Sequence, residues 1–148
     1  MRISSKGRYA LVAMVSMAQS ADNGKHITVI SISERFGISK IYLEQVFSLL
    51  KRGSLVTSVK GAQGGYQLTR TPQQITAFEI LSAIESSLFE ETEDTVLENS
   101  PAIERAIRQS VFKPLDNAIE NALKATTLSD LVNEAEKYSD DQNLMFYI

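Results

Sequence analysis

Residues 28–70, TVISISERFGISKIYLEQVFSLLKRGSLVTSVKGAQGGYQLTR, decide the fold. Ile32 and Phe36 stand four apart and share one face of a short helix, and Gly37 follows where a left-handed turn residue is cheapest. Ser39 then reads as the N-cap of a second helix. In it Leu43, Val46, Phe47 and Leu50 recur at the spacing of one buried stripe. After Gly53 the period changes to two: Leu55, Thr57 and Val59 alternate with Val56, Ser58 and Lys60. A second strand ends at Leu68 behind the glycine-rich tip Gly61, Ala62, Gln63, Gly64, Gly65. The pattern is helix, tight turn, helix, hairpin wing.

The outer face of the second helix carries Lys40, Tyr42, Gln45, Ser48, Lys51 and Arg52. Cations for phosphates stand there beside amide and hydroxyl groups for base edges, on a helix of the width the major groove admits. Glu44 interrupts the positive surface, either to accept from a cytosine amine or to pair with Lys40 or Lys51. A plain helical hairpin with a solvated polar face explains the helices but not the wing. Without side chains, the glycines let the tip approach a phosphate backbone or minor groove closely, with Lys60 and Arg70 flanking it and Gln63 free to hydrogen-bond. A nucleotide-binding loop is a poor reading, because no Lys-Ser/Thr pair and no helix follow the glycines.

Charge divides the chain. Residues 1–72 hold ten Lys/Arg against three acids, a balance of +7, and residues 73–148 hold five against fifteen, a balance of −10. A basic half joined to an acidic half suits a DNA reader with a separate module, so the overall net charge of −3 is no objection. At 148 residues and 43% hydrophobic content, the chain is expected to bury one moderate core. It lacks a signal pattern and any apolar run of ~18 residues, so a soluble cytoplasmic protein is expected. The cysteine count is zero, which removes disulfides, thiolate nucleophiles and thiolate-held metals together. With one histidine, His26, beside a turn, an enzyme would have to work with scattered carboxylates. No catalytic residue, cofactor or metal site is expected.

Ahead of the decisive stretch, Ser4 or Ser5 caps a helix with a core stripe of Leu11, Met14, Val15 and Ala18. Lys6, Arg8 and Tyr9 lie in its first turn, where cations oppose the helix dipole and suggest a phosphate nearby. Downstream, Thr76 with Glu79 forms a capping box for another helix. Residues 88–100, LFEETEDTVLENS, read as a solvated, flexible acidic linker, since the carboxylate spacing matches no calcium loop. Ser100 and Pro101 start a long helix to about Ala125. Its apolar stripe runs through Ile103, Ile107, Val111, Leu115, Ala118, Ile119, Ala122 and Leu123, and Pro114 predicts a kink. Such a stripe in a small protein is covered either by its own domain or, more simply, by a second copy of itself. Thr127 with Asp130 caps a short last helix, followed by a polar stretch, Ser139 to Asn143, and an apolar tail, Leu144 to Ile148.

Three blocks carry a family resemblance: Ile3 to Leu11, Ile38-Ser39 with Tyr42-Leu43-Glu44-Gln45, and Lys60 to Leu68. Together they resemble the Rrf2 family of bacterial winged-helix transcription regulators. The resemblance implies a mainly α fold with a small β-hairpin wing, a winged helix-turn-helix plus a long dimerisation helix. It further implies a homodimer on a palindromic operator of double-stranded DNA, the helix from Lys40 in the major groove and the tip from Gly61 to Tyr66 at the minor groove. The DNA-binding set is then Lys6, Arg8, Tyr9, Ser39, Lys40, Tyr42, Gln45, Lys51, Arg52, Lys60, Gly61, Gln63, Gly64 and Gly65. Domains are expected at 1–86 (DNA binding), 87–100 (linker) and 101–148 (dimerisation helix and tail). Two departures stand out: Ser54 replaces the family's usual Gly, with Gly53 one place early, and Lys60 replaces its usual Arg. Many members hold an iron–sulfur cluster on cysteines in or near the acidic segment, and this chain has none.

Within the family, Ile75-Thr76-Ala77, Thr126-Thr127-Leu128 and Met145 to Ile148 resemble the branch that represses cysteine metabolism. That resemblance implies control of sulfur amino-acid genes and a complex with cysteine synthase; the apolar tail then either packs on its own dimer helices or offers Tyr147 and Ile148 as a ligand for the synthase active site.

Overall fold

The computed structural model describes residues 2–20, 26–61 and 64–146. Helix α1 spans Ser5–Gln19, and the Ser4 hydroxyl caps it by accepting from the Gly7 amide at 3.1 Å. Ala10, Ala13, Met14 and Met17 form its buried face, so the methionines are packing residues. Helix α2, Val29–Phe36, is capped by Thr28 through the Ser31 amide at 3.1 Å and ends at Gly37 with φ 66°. Helix α3, Lys40–Arg52, starts at Ser39 and buries the expected stripe of Leu43, Val46, Phe47 and Leu50.

Strands β1, Val56–Ser58, and β2, Tyr66–Leu68, pair antiparallel, with Val56 opposite Leu68 and Ser58 opposite Tyr66. The other edge of β2 is held as well: Ile27 and Tyr66 exchange N–H···O bonds of 2.9 and 2.8 Å. The wing is therefore anchored on both sides and, through a stacked Phe47–Tyr66 pair with centroids 4.6 Å apart, on the back of α3.

Helix α4, Ala77–Ile84, is capped by the Thr76 hydroxyl, which accepts from the Glu79 amide at 3.2 Å; the Glu79 carboxylate bonds Arg70 instead of closing the expected box, and the helix packs on α1 and α3. Helix α7, Leu128–Phe146, starts with the reciprocal Thr127–Asp130 box, at 2.9 and 3.0 Å. A short ladder stitches the two helix starts together: the Ala77 amide donates to the Thr126 carbonyl and the Leu128 amide to the Ile75 carbonyl, both at 2.8 Å. Leu128 is fully buried in the core of the first 86 residues, and Leu131 and Val132 pack against it. Removing one such leucine from water stabilises by roughly 1.5–3 kcal/mol. Leu128 near the start of α7 thus shares the core of the first 86 residues.

Two further expectations need correcting. The last helix is not short: it continues through Ser139 to Asn143, because no Gly or Pro interrupts it, and its residues Ser139 to Gln142 are exposed. Leu144 to Phe146 therefore form its last turn rather than a free tail, and Tyr147 and Ile148 lie outside the described residues. The acidic linker is also not a free coil. Its side chains at Glu90, Glu91, Glu93, Asp94 and Glu98 are exposed as expected, but its backbone is tied down. The carboxylate of Glu104, only 2% exposed, accepts from the amides of Val96 at 2.8 Å and Thr95 at 3.0 Å, and Arg108 bonds Asp94, the Thr92 carbonyl and Glu104. The Val96 amide above all, then the Thr95 amide and Arg108, hold Glu104 below the usual carboxylate range against the opposing effect of burial.

Helices α5, Pro101–Ile107, and α6, Lys113–Lys124, are continuous through a π-helical turn, Arg108–Phe112. The irregularity expected at Pro114 takes this form. The Lys113 amide reaches back five residues to the Arg108 carbonyl, and the wider turn absorbs the bond that proline cannot make. Along this arm Ile103, Val111 and Leu115 are 57%, 53% and 54% exposed, an apolar row that the described residues leave more than half open.

Candidate nucleic-acid interface

Three elements meet on one side of the core. The first turns of α1 bring Lys6, Arg8 and Tyr9 beside the start of α3. Tyr9 meets Tyr42 edge-on with centroids 5.3 Å apart, and the Lys6 ammonium lies 6.0 Å from the Tyr42 ring centre. Arg8 is exposed and donates to the Ser5 hydroxyl at 3.0 Å. Ser39 holds the turn: its hydroxyl accepts from the Tyr42 amide at 3.5 Å. Lys40, Gln45, Lys51 and Arg52 are all exposed along α3. Glu44 takes the structural option and pairs with Lys40 at 3.8 Å, an exposed contact worth at most about 1 kcal/mol and easily given up to a phosphate.

The anion that α1 attracts is internal. The Glu85 carboxylate accepts from the Ser4 amide at 2.7 Å, at the positive end of the helix, and leaves so little room that a Cβ on Gly7 would sit 2.4 Å from it. The dipole of α1 is therefore answered by Glu85, and Lys6 and Arg8 need no phosphate to explain them.

At the wing, Lys60 and Gly61 are exposed. Gly64 (φ 63°) and Gly65 (φ 143°) bend the chain back so that the Val59 amide reaches the Gly65 carbonyl at 2.8 Å. A Cβ on Gly65 would lie 2.8 Å from the Ile27 carbonyl oxygen, so glycine is needed there to seat the wing against residue 27. Gln63 lies outside the described residues. Arg70 does not serve the tip: its guanidinium donates to Glu79, and this bond makes the guanidinium hold its own proton still more firmly; it also donates to the Gln74 carbonyl at 3.0 Å. Sequence reading paired Arg70 with the glycines because it follows β2, but the turn at Pro72–Gln74 carries it toward α4.

One residue of this face was missed. Ile41, 70% exposed, stands between Lys40 and Tyr42. With Gln45, Ser48 and Arg52 it follows the helix at intervals of four, three and four. That row runs directly opposite Leu43, Val46, Phe47 and Leu50 at about 100° per residue. Its phase marks it as an outward residue, but an apolar side chain does not announce itself in a search for cations and amides.

Comparison with known proteins agrees with this architecture. A profile described as "Rrf2: Iron-dependent Transcriptional regulator" matches residues 3–134. The HTH-type transcriptional regulator IscR of Aliivibrio salmonicida is 37% identical over 146 residues, covering 97% of this chain and 86% of that protein. Among solved structures, CymR (YrzC), the global cysteine regulator of B. subtilis, superposes with a TM-score of 0.74 at 31% identity, over 90% of this chain and 98% of that one. IscR of T. potens superposes at 0.71 and 34% identity, over 93% and 90%. The match through nearly the whole chain, the winged helix-turn-helix and its exposed cationic face agree, and the chain belongs to the Rrf2 family of DNA-binding transcriptional regulators.

Proposed function

We propose that the chain is a sequence-specific repressor that binds a palindromic operator as a homodimer. In it α3 lies in the major groove, the wing tip touches the minor groove, and α5–α6 join the protomers. The observation that carries this reading is the outward row of α3, whose Gln45 is flanked by the exposed cations Lys40, Lys51 and Arg52 and by Lys6 and Arg8 from α1. Gln45→Ala is expected to cost about 1–3 kcal/mol on the cognate site and to relax sequence preference, while Lys51→Ala weakens all duplexes alike and flattens the salt dependence. Gel shift with salt titration on cognate and random duplexes checks both. Equal losses on the two duplexes for Gln45→Ala would remove it as a base reader.

The family's iron dependence does not extend to this chain in the form of a thiolate-held cluster. No cysteine exists to ligate one, and the backbone of residues 92–96 is bonded instead to Glu104 and Arg108. Anaerobically purified protein is expected to be colourless and iron-free. Stoichiometric iron and sulfide would overturn this.

The finer assignment is to cysteine and sulfur metabolism genes. It is supported by the likeness to the B. subtilis cysteine regulator and by Ile75-Thr76-Ala77 and Thr126-Thr127-Leu128, which form the α4–α7 stitch. The same assignment extends to a complex with cysteine synthase through Tyr147 and Ile148. Calorimetry with Ile148→Glu is the check, since undiminished synthase binding by a dimeric variant would rule that contact out. A regulator of a different pathway is the second reading, favoured by relatives named IscR at 37% identity.

A further inference from the structure

We propose that Ile41 is a base-reading residue that recognises the 5-methyl group of thymine in the major groove of double-stranded DNA. The inference rests on the DNA-binding reading above and adds to it the kind of base one position selects.

Ile41 is 70% exposed on the first turn of α3. Isolated surface aliphatics are common and mean little by themselves, but this one has a particular address. It occupies the midline of the exposed face, one turn ahead of Gln45 and in line with Ser48 and Arg52, while Lys40, Glu44 and Lys51 lie along one flank. The N-terminal residues of a recognition helix are those that meet base edges. Ile41 can neither donate nor accept a hydrogen bond. The apolar group that base edges present in the major groove is the thymine methyl, so the chemistry of this side chain has one match on a duplex. The surroundings agree, because the cations of α1 and α3 around it make the face complementary to a polyanion rather than to an apolar protein surface. Gln45, next along the row, offers an amide suited to adenine, so the two residues together specify adjacent positions rich in A·T pairs.

The test removes single methyl groups from DNA. A preferred operator is selected from a random duplex pool with the full-length protein, and each thymine is then replaced in turn by deoxyuridine. For the unaltered protein, Kd is expected to rise roughly fourfold at one or two thymines per half-site, the equivalent of one buried methyl group. The same replacements should leave the Kd of Ile41→Ser unchanged, while Ile41→Val keeps the sensitivity. Because Ile41 is exposed, the thermal unfolding of Ile41→Ser should match that of the parent, which separates lost contact from lost fold. Binding that is indifferent to every methyl, or an Ile41→Ser variant still sensitive to the same thymines, overturns the proposal while leaving α3 as the reading helix. An Ile41→Ser loss that is equal on cognate and random duplexes does so too. A pool that yields no preferred sequence overturns the underlying reading and this one with it.

Discussion

Phe47→Ala is expected to destabilise the protein by about 3–5 kcal/mol, a large share of the 5–15 kcal/mol that holds a domain of this size together. Phe47 is fully buried, is the largest of the core side chains, and reaches the wing through its stacked contact with Tyr66. Truncation removes that aromatic pair and leaves a cavity between α3 and β2, which otherwise reaches α3 by way of its pairing with β1. In urea the midpoint should fall with the slope unchanged, and thermal unfolding should move down by roughly 10 °C. Phe47→Leu, which fills most of the volume, is expected to cost much less. DNA binding by the alanine variant should fall further than the folded fraction accounts for, because α3 and the wing then lose their fixed relation. A midpoint shift equivalent to less than about 1 kcal/mol would mean that the wing is held by its backbone ladder and not by Phe47.

That relation between helix and wing was legible in the sequence, and the reasons show which features a linear reading recovers. Gly37, the serine and threonine caps, and the stripe of α3 are local signals, each fixed by residues within one turn of each other. Ser54 was half legible. Its replacement of the usual glycine was visible, but only the structure reveals that it takes the left-handed step itself, with φ 60°. Gly53 stays at φ −76° and is needed for space instead, since a Cβ there would meet the Ala83 side chain of α4 at 2.9 Å. A serine in that conformation costs on the order of 1–2 kcal/mol, and the Thr69 hydroxyl steadies it by donating to the Ser54 carbonyl at 2.7 Å.

What escaped the sequence depends on residues far apart in the chain. Glu104 is one carboxylate among fifteen acids in its half, and nothing local marks it as the buried one that organises Thr95 and Val96. Arg70 reads as a cation near a glycine tip until Glu79, nine residues on, claims it. The extent of α7 was underestimated because its second half has no apolar period. α7 as a whole lies against α1 and the turn at Pro72–Gln74, and its exposed second half continues from that anchored part.

The other large effect is expected at the arm. Val111 and Leu115 are more than half exposed in the protomer, so Val111→Glu with Leu115→Glu should leave each protomer folded. If α5–α6 pairs with its two-fold copy along Ile103, Ile107, Val111 and Leu115, the double variant sets four new carboxylates in a shared apolar seam. Each then lacks a partner, and the copies repel one another. The dimer should give way to monomer by light scattering at micromolar protein. Operator affinity should fall by about 100-fold or more, because the second half-site no longer benefits from the effective concentration that linkage supplies. Affinity for random duplex should change far less, since the cations of α1 and α3 remain in place. Gln109→Glu, two residues before Val111 and pointing off the row, is the control and should stay dimeric. A double variant that remains a dimer with full operator affinity would mean that the protomers meet elsewhere, and the exposed row on α5–α6 would need another occupant.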